Sequence, residues 1–385
     1  MTADANYGKH VGLPTKTHCG DLPSPLNRQP LMNRHPFATV LVLFVLIGST
    51  WLQSSQRLRA QPTLPRRVET SGLELVTPET QKAIDTALTW MANRQHEDGS
   101  FGSGRQYQRN VAVTSLAGMA FLAAGHTPGR GKFGKNVELA VGFILKATKP
   151  NGLIDVSNSQ SYGPMYGHGF ATLFLAEVYG MCPCKAARLD LERAVKLIVN
   201  TQNKEGGWRY HPEPKEADIS VTICQIMALR AARNCGMYVP KQTVDRCIDY
   251  VQRCQNRDGG FRYQLFQRDS KFPRSAAGVA ALYSAGVYEG REIEAGLNYL
   301  MRFLPQNAVN RVEEHYFYGH YYAVQAMWQA GGKFWQKWYP AIRNELLVSR
   351  QVDGSWHDSI SREYGTAMAC IILQMPNSYL PIFNR

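Results

Sequence analysis

Gln202-Asn-Lys-Glu-Gly-Gly-Trp208 recurs along the chain as Gln95-His-Glu-Asp-Gly-Ser-Phe101, Gln255-Asn-Arg-Asp-Gly-Gly-Phe261 and Gln351-Val-Asp-Gly-Ser-Trp356. Each copy reads Gln, two or three mostly polar residues, Gly, a small residue, then an aromatic. The Gln-to-Gln steps are 107, 53 and 96 residues, near two, one and two periods of ~50 residues, a spacing typical of repeat arrays. Lys149-Pro-Asn-Gly-Leu-Ile154 is a degenerate copy in the first gap. Residues 304–314 fill the second gap without a recognisable copy.

The flanks of each copy follow one pattern. An amphipathic helix comes first; over 189–201, Leu191, Val195 and Ile198 form one stripe, with Asp190, Arg193 and Lys196 elsewhere. After the turn comes a second helix that is apolar or small nearly all round. The stretches 111–125, 219–229, 276–288, 321–332 and 365–375 hold no Asp, Glu, Lys or Arg, and 169–180 holds only Glu177. A helix without a polar face is buried on all sides. Six hairpins fit between residues 77 and 383, with one-sided helices outside and apolar helices inside. Neither end carries a polar cap of the kind an open solenoid needs. The pattern therefore predicts an all-α fold, an α/α toroid of six helical hairpins in two concentric rings. Residues 61–76, with Gln, Pro, Arg and Thr, read as a linker, and 77–385 as the toroid.

Residues 37–52, FATVLVLFVLIGSTWL, carry no charge. Their strongly apolar part, 38–47, is short of the ~20 residues a span needs. Arg34 and His35 precede it, and Arg57 and Arg59 lie in the polar stretch that follows. That is the order of an export signal. Met32 competes with Met1 as the start, and Ala60 offers a cleavage position. An uncleaved anchor, giving membrane association through 37–52, is the alternative to cleavage. Residues 1–60 thus read as a leader, and the protein as exported or membrane-anchored rather than cytoplasmic. Of eight cysteines only Cys182 and Cys184 lie close together, and no CxxC pair suggests a zinc ribbon.

With 44% hydrophobic and 19% charged residues the chain is not mostly disordered. Lys and Arg exceed Asp and Glu by 13, which favours anionic surroundings. No basic run or nucleic-acid motif accompanies the excess, so nucleic acid is not an expected partner. The oligomeric state is not legible.

The Gln-x(2–3)-Gly-small-aromatic turn between helices resembles the QW-type repeat of the terpenoid cyclase and protein prenyltransferase superfamily, also described as prenyltransferase and squalene oxidase repeats. The resemblance covers about residues 77–383 and implies the toroid and an apolar, isoprenoid-like small-molecule ligand. Squalene–hopene-type cyclases follow a Gly-Gly-Trp turn with Asp-x-Asp-Asp-Thr, whose central Asp donates a proton. Here Gly206-Gly-Trp208 is followed by Glu216-Ala-Asp218-Ile-Ser220, so the resemblance implies Asp218 as general acid. The oxidosqualene-type Asp-Cys-Thr-Ala-Glu also resembles Asp218-Ile-Ser-Val-Thr222. The zinc site of protein prenyltransferases is absent: Asp245-Arg-Cys247 has the spacing but lies on an outer helix. The Gly-Cys-Gly-Glu-Gln of thioester toroids is absent as well.

In such a ring all inner helices start at one end, so their first turns converge on one mouth. Those starts bring Tyr166, His168, Asp218, Arg274, Tyr318, His320 and Tyr364 together. His168 and His320 are 152 residues apart, three repeats, so they stand across the ring, too far apart to share a metal held at ~2.1 Å. Neither a metal nor a cofactor is expected. Asp218, His168 and His320 are the candidate catalytic groups. Tyr166, Arg274, Tyr318, Tyr364, Tyr322 and Trp328 are the candidate ligand contacts, the aromatics lining an apolar shaft and facing cationic intermediates. Plain alternatives stand beside these roles: Asp is a good N-cap, the histidines can serve as wall-to-backbone bonds, and aromatic stripes are often core. Two functions follow, an enzyme acting on an isoprenoid-like lipid or a non-catalytic envelope toroid that binds a lipid or protein partner.

Overall fold

Two kinds of helix alternate in the computed structural model of the chain, which describes residues 72–156, 163–183, 185–305 and 314–384. The outer helices are α1 (Pro78–Ala92), α4 (Gly134–Lys146), α6 (Lys185–Asn200), α8 (Lys241–Arg253), α10 (Arg291–Leu300) and α12 (Gly332–Ser349). The inner helices are α3 (Val111–Ala123), α5 (Met165–Met181), α7 (Ile219–Asn234), α9 (Phe272–Ala285), α11 (Tyr316–Ala330) and α13 (Arg362–Leu373). A short helix, α2 (Gly104–Tyr107), lies between α1 and α3. No β-strand occurs among the described residues, only isolated bridges. The leader over 1–60 lies outside the described residues, and none of the described helices is long and apolar enough to cross a membrane.

Charge content decides which helix goes where. α3 has no polar face and buries every residue but Ala112. α8 buries one stripe, Thr243, Cys247, Tyr250 and Val251, and gives the rest of its surface to water or to partial contact. The inner helices pack in chain order from α3 to α13, and α13 returns to pack on α3. The inner ring is therefore closed, and the fold is the α/α toroid that the apolar second helices predict.

The repeated turns hold neighbouring hairpins together. Gly99, Gly152, Gly206, Gly259 and Gly354 all take left-handed φ values between 87° and 103°, which only glycine adopts at little cost. A Cβ at Gly206 would stand 2.1 Å from the Arg246 carbonyl oxygen of the next outer helix, and one at Gly99 would stand 2.1 Å from that of Leu139. Each glycine is thus demanded twice, by φ and by close approach. The glutamines bridge the same junctions. Gln202 Nε2 donates to the Gly206 carbonyl at 2.8 Å and to Thr243 of the next outer helix at 2.9 Å. Gln95 and Gln255 repeat this, reaching Asn136 and Glu292. The degenerate copy closes the same loop, with Lys149 N–H donating to Leu153 and Gly152 N–H to Lys149.

Gln351 does not take this role. Its turn is one residue shorter, and its backbone bonds to Ser355 and Gly354 put it in the place of His96, Asn203 and Asn256. Its side chain is exposed. At this junction, where last hairpin meets first, Trp90 Nε1 donates instead to Asp353 Oδ2 at 3.0 Å, and Arg362 pairs with the same carboxylate.

Candidate functional site

The turn aromatics fix the inner-helix starts. Phe101, Trp208, Phe261 and Trp356 are fully buried, and their backbone N–H groups donate to Thr114, Thr222, Ser275 and Thr366 in the first turns of the inner helices. In the degenerate copy Ile154 N–H donates to His168 Nδ1 at 3.2 Å. An imidazole thus stands where the other repeats use a hydroxyl. Burial pushes His168 down to about 4, so the ring is neutral and suited to accept that bond. His320, five residues into α11 as Thr366 is into α13, packs against the rings of Phe272, Tyr316 and Trp338. Both histidines are buried behind the mouth rather than on its wall.

A cavity of about 1120 Å³ opens where the inner helices begin. All six inner helices contribute to its wall: Val111 of α3, Tyr166 of α5, Ser220 of α7, Arg274 of α9, Tyr318 of α11 and Tyr364 of α13. Burial holds Tyr166, Tyr318 and Tyr364 well above the ordinary phenol range, so they present neutral hydroxyls. Below the mouth the ring axis is filled. Tyr318 donates to the Ser220 carbonyl at 2.9 Å, and the Tyr322 hydroxyl meets Cys224 Sγ at 3.3 Å. Tyr321 and Tyr322 pack edge to face and are fully buried. The site is a cup with an aromatic floor rather than the expected shaft. Tyr322 belongs to the filling under that floor. Trp328 lies at the opposite end of the ring, where it donates to the Phe383 carbonyl.

Asp218 is the N-cap of α7, and its Oδ1 accepts from Val221 N–H at 2.8 Å. Asn110 and Ser361 cap α3 and α13 in the same way. The backbone around it is tied on both sides: Asp218 N–H donates to Trp208, and Ile219 N–H to Tyr263. Gln264 donates to the Ala217 carbonyl, so the loop of the next repeat closes over the carboxyl. Asp218 is fully buried. Burial pushes its carboxyl up to about 7, against the opposing hydrogen bond from Val221. Oδ2 is not used by the cap; it lies 3.8 Å from Arg209 Nε, and the Tyr263 phenol adjoins the carboxyl. Asp218 is not on the cavity wall. Tyr263, which is on the wall, is its electrostatic neighbour, and the Tyr263 hydroxyl is hydrogen-bonded to that of Tyr210, also on the wall.

The structure thus gathers Tyr166, Arg274, Tyr318 and Tyr364 on one wall and leaves Asp218, His168, His320 and Tyr322 behind it. Tyr210 and Tyr263 were not foreseen, yet the sequence marks them: Trp208-Arg-Tyr210 and Phe261-Arg-Tyr263 repeat one triplet at successive turns. Asp358, in the loop before α13, was also unforeseen. It lies on the wall, and burial raises its carboxyl above the usual range. No cluster of three or more His, Cys, Asp or Glu among the described residues is arranged to hold a metal ion.

The model of the prenyltransferase alpha-alpha toroid domain matches residues 69–313. The chain belongs to that family. Among curated proteins, a drimenyl diphosphate synthase of Streptomyces showdoensis is 26% identical over 181 residues, covering 47% of this chain and 32% of that protein. The chain therefore spans about a third of the length of such relatives. Among solved structures, the type II terpene cyclase MstE from Scytonema, in complex with geranylgeranyl dihydroxybenzoate, superimposes with a TM-score of 0.55 at 14% identity, over 78% of this chain and 98% of that one. An alpha-1,6-mannanase of Salegentibacter in complex with alpha-1,6-mannotriose superimposes with a TM-score of 0.59 at 6% identity, over 77% of this chain and 99% of that one. The toroid is therefore shared with proteins of unrelated chemistry, and function has to be argued from the site.

Proposed function

We propose that the mouth cavity binds an isoprenoid-like apolar ligand and that Asp218 serves as its general acid through Tyr263. The observation that carries the binding reading is the cavity of about 1120 Å³, walled by the starts of all six inner helices and rich in tyrosine. That volume is slightly above the ~300–1,000 Å³ typical of small-molecule sites. Aromatic walls suit a long unsaturated chain and any cationic state it passes through. The names of the relatives agree with such a ligand.

A proton donor must carry its proton before reaction. With its carboxyl raised to about 7 by burial, Asp218 is substantially protonated at neutral pH. Oδ2 is the oxygen that the cap leaves available, and the Tyr263–Tyr210 hydroxyl pair joins its neighbourhood to the wall. In this reading a proton leaves Asp218 for Tyr263 as Tyr263 releases its own toward the ligand. The resulting carboxylate is stabilised by Val221 N–H and the nearby Arg209 guanidinium.

Complete enclosure of Asp218 favours a second reading, a toroid that binds the ligand without transforming it. One experiment separates them. Lipid extracted from the purified protein is identified by mass spectrometry and incubated with fresh wild type and with Asp218→Asn. Conversion by wild type alone supports the acid, because Asn also caps helices. An isoprenoid that copurifies but stays unchanged supports binding alone. A protein free of any isoprenoid, and unable to take one up, contradicts both. The leader-like segment 32–60 would bring this ring to the cell envelope, which N-terminal mass analysis of the fractionated protein tests.

A further inference from the structure

We propose that the cavity selects an isoprenoid with an uncharged head, such as an alcohol, over the corresponding diphosphate. The inference rests on the binding reading above and narrows it to one head-group class.

A diphosphate taken out of water needs cations free to meet it, because a buried charge without a partner is costly. Among the described residues of the wall, the permanent cations are Lys271 and Arg274. Arg274 is engaged, and Lys271 is loosely paired. Arg274 Nη2 donates to the Asp269 carbonyl at 2.8 Å and pairs with the Asp269 carboxylate. Its Nε carries no hydrogen bond, but that atom is buried and out of a ligand's reach. Lys271 Nζ lies 3.8 Å from Glu314 Oε2, and Glu314 is itself on the wall.

The remaining charges on the wall are carboxylates. Asp155 pairs with Lys149 at 2.8 Å. Asp358 accepts from Ile360 N–H at 2.8 Å and has His315 and His357 as cationic neighbours. Among the described residues the wall thus sets Asp358, Asp155 and Glu314 beside its two permanent cations. The inner-helix N-termini bring partial positive charge to the same mouth. Those of α3, α7 and α13 are closed by the side chains of Asn110, Asp218 and Ser361, whereas those of α5, α9 and α11 carry no side-chain cap. Hydroxyl groups are well served in this cup. The phenols of Tyr166, Tyr210 and Tyr263 lie on one side, and a phenol donates to or accepts from an alcohol without any change of charge.

The test titrates the purified full chain with geranylgeraniol and with geranylgeranyl diphosphate, following intrinsic fluorescence. Wild type should bind the alcohol at least ~10-fold more tightly than the diphosphate. Asp269→Asn frees the Arg274 guanidinium at an exposed position. It should tighten diphosphate binding about 10-fold, the worth of one charge-assisted contact, and leave the alcohol unchanged. Equal or tighter binding of the diphosphate by wild type overturns the proposal, as does an Asp269→Asn variant whose diphosphate affinity does not move. If a folded wild type binds neither compound, the binding reading itself falls, and the two failures are thereby distinguished.

Discussion

Asp218 and Glu177 are both buried carboxyl groups of the inner ring, one at its mouth and one near its far end. Burial pushes the first up to about 7 and the second up to about 8. Their surroundings differ. Glu177 Oε2 accepts from Ile382 N–H at 3.3 Å, and the C-terminal turn seals it in. Trp328 and Gln329 both donate to the Phe383 carbonyl and hold that turn down. A cavity at this end, lined by Arg230, Trp328, Gln329 and Phe383, holds about 20 Å³, room for about one water. Asp218 is equally buried, but it stands beside a phenol that faces a large cavity. A raised carboxyl alone therefore does not mark a site. The neighbouring space does.

The largest expected effect comes from the turn that supports the mouth. Trp208 fills its junction, donates to the Ile198 carbonyl at 2.7 Å, and accepts from Asp218 N–H through its own carbonyl. Trp208→Ala should cost ~3–5 kcal/mol in chemical denaturation. An unchanged midpoint would mean that the turn does not hold this end together.

The two acids should separate in pH. For each, the folded pKa lies above the ordinary value, 4.5 for Glu177 and 3.8 for Asp218. The folded state then holds more protons than the unfolded state, so stability falls as pH rises through that interval. The Asp218 share of the loss is complete near pH 7, whereas the Glu177 share continues to about pH 8. Melting of wild type should therefore keep falling between pH 7 and 8. Glu177→Gln should flatten that window and gain on the order of 1–3 kcal/mol above it. Asp218→Asn should flatten the range below pH 7 and leave the upper window in place. A Glu177→Gln profile parallel to wild type would dissolve the distinction between the two ends.

Smaller effects sharpen the same contrast. Asp218→Ala should lose ~1 kcal/mol of capping, and Asp218→Asn only a fraction of that. Gln202→Ala, which removes two buried donations, should cost about 1–2 kcal/mol. Gln351→Ala should be silent, since that side chain is exposed.

These contrasts also explain what the sequence disclosed. The ring was legible because its constraints are local: a glycine pressed against the next backbone, an aromatic filling each junction, and helices without charges. Gln351 was misaligned because a one-residue deletion in the turn moves the glutamine out of its bridging position while preserving the Gly-small-aromatic end. His168 looked like a mouth residue because it stands in the first turn of an inner helix. Its side chain does what Thr114 and Thr222 do with a hydroxyl. Trp328 reads as shaft lining, but it follows Tyr316 by 12 residues, ~18 Å along a helix, and so lies beyond the filled axis at the far end of the ring. The enclosure of Asp218 was not legible at all, because its cover is Tyr263 and Gln264 of the following repeat. Tyr210 and Tyr263 could have been found from their shared Arg-Tyr triplet.

Photoaffinity labelling with a diazirine-bearing geranylgeraniol, followed by peptide mapping, tests the central claim most directly because it distinguishes the two ends of the ring. The account predicts label on peptides containing Tyr166, Tyr318 or Tyr364, removed by competition with unlabelled alcohol. Competable label confined to the peptides of Trp328 and Phe383, or none on the mouth, would contradict it.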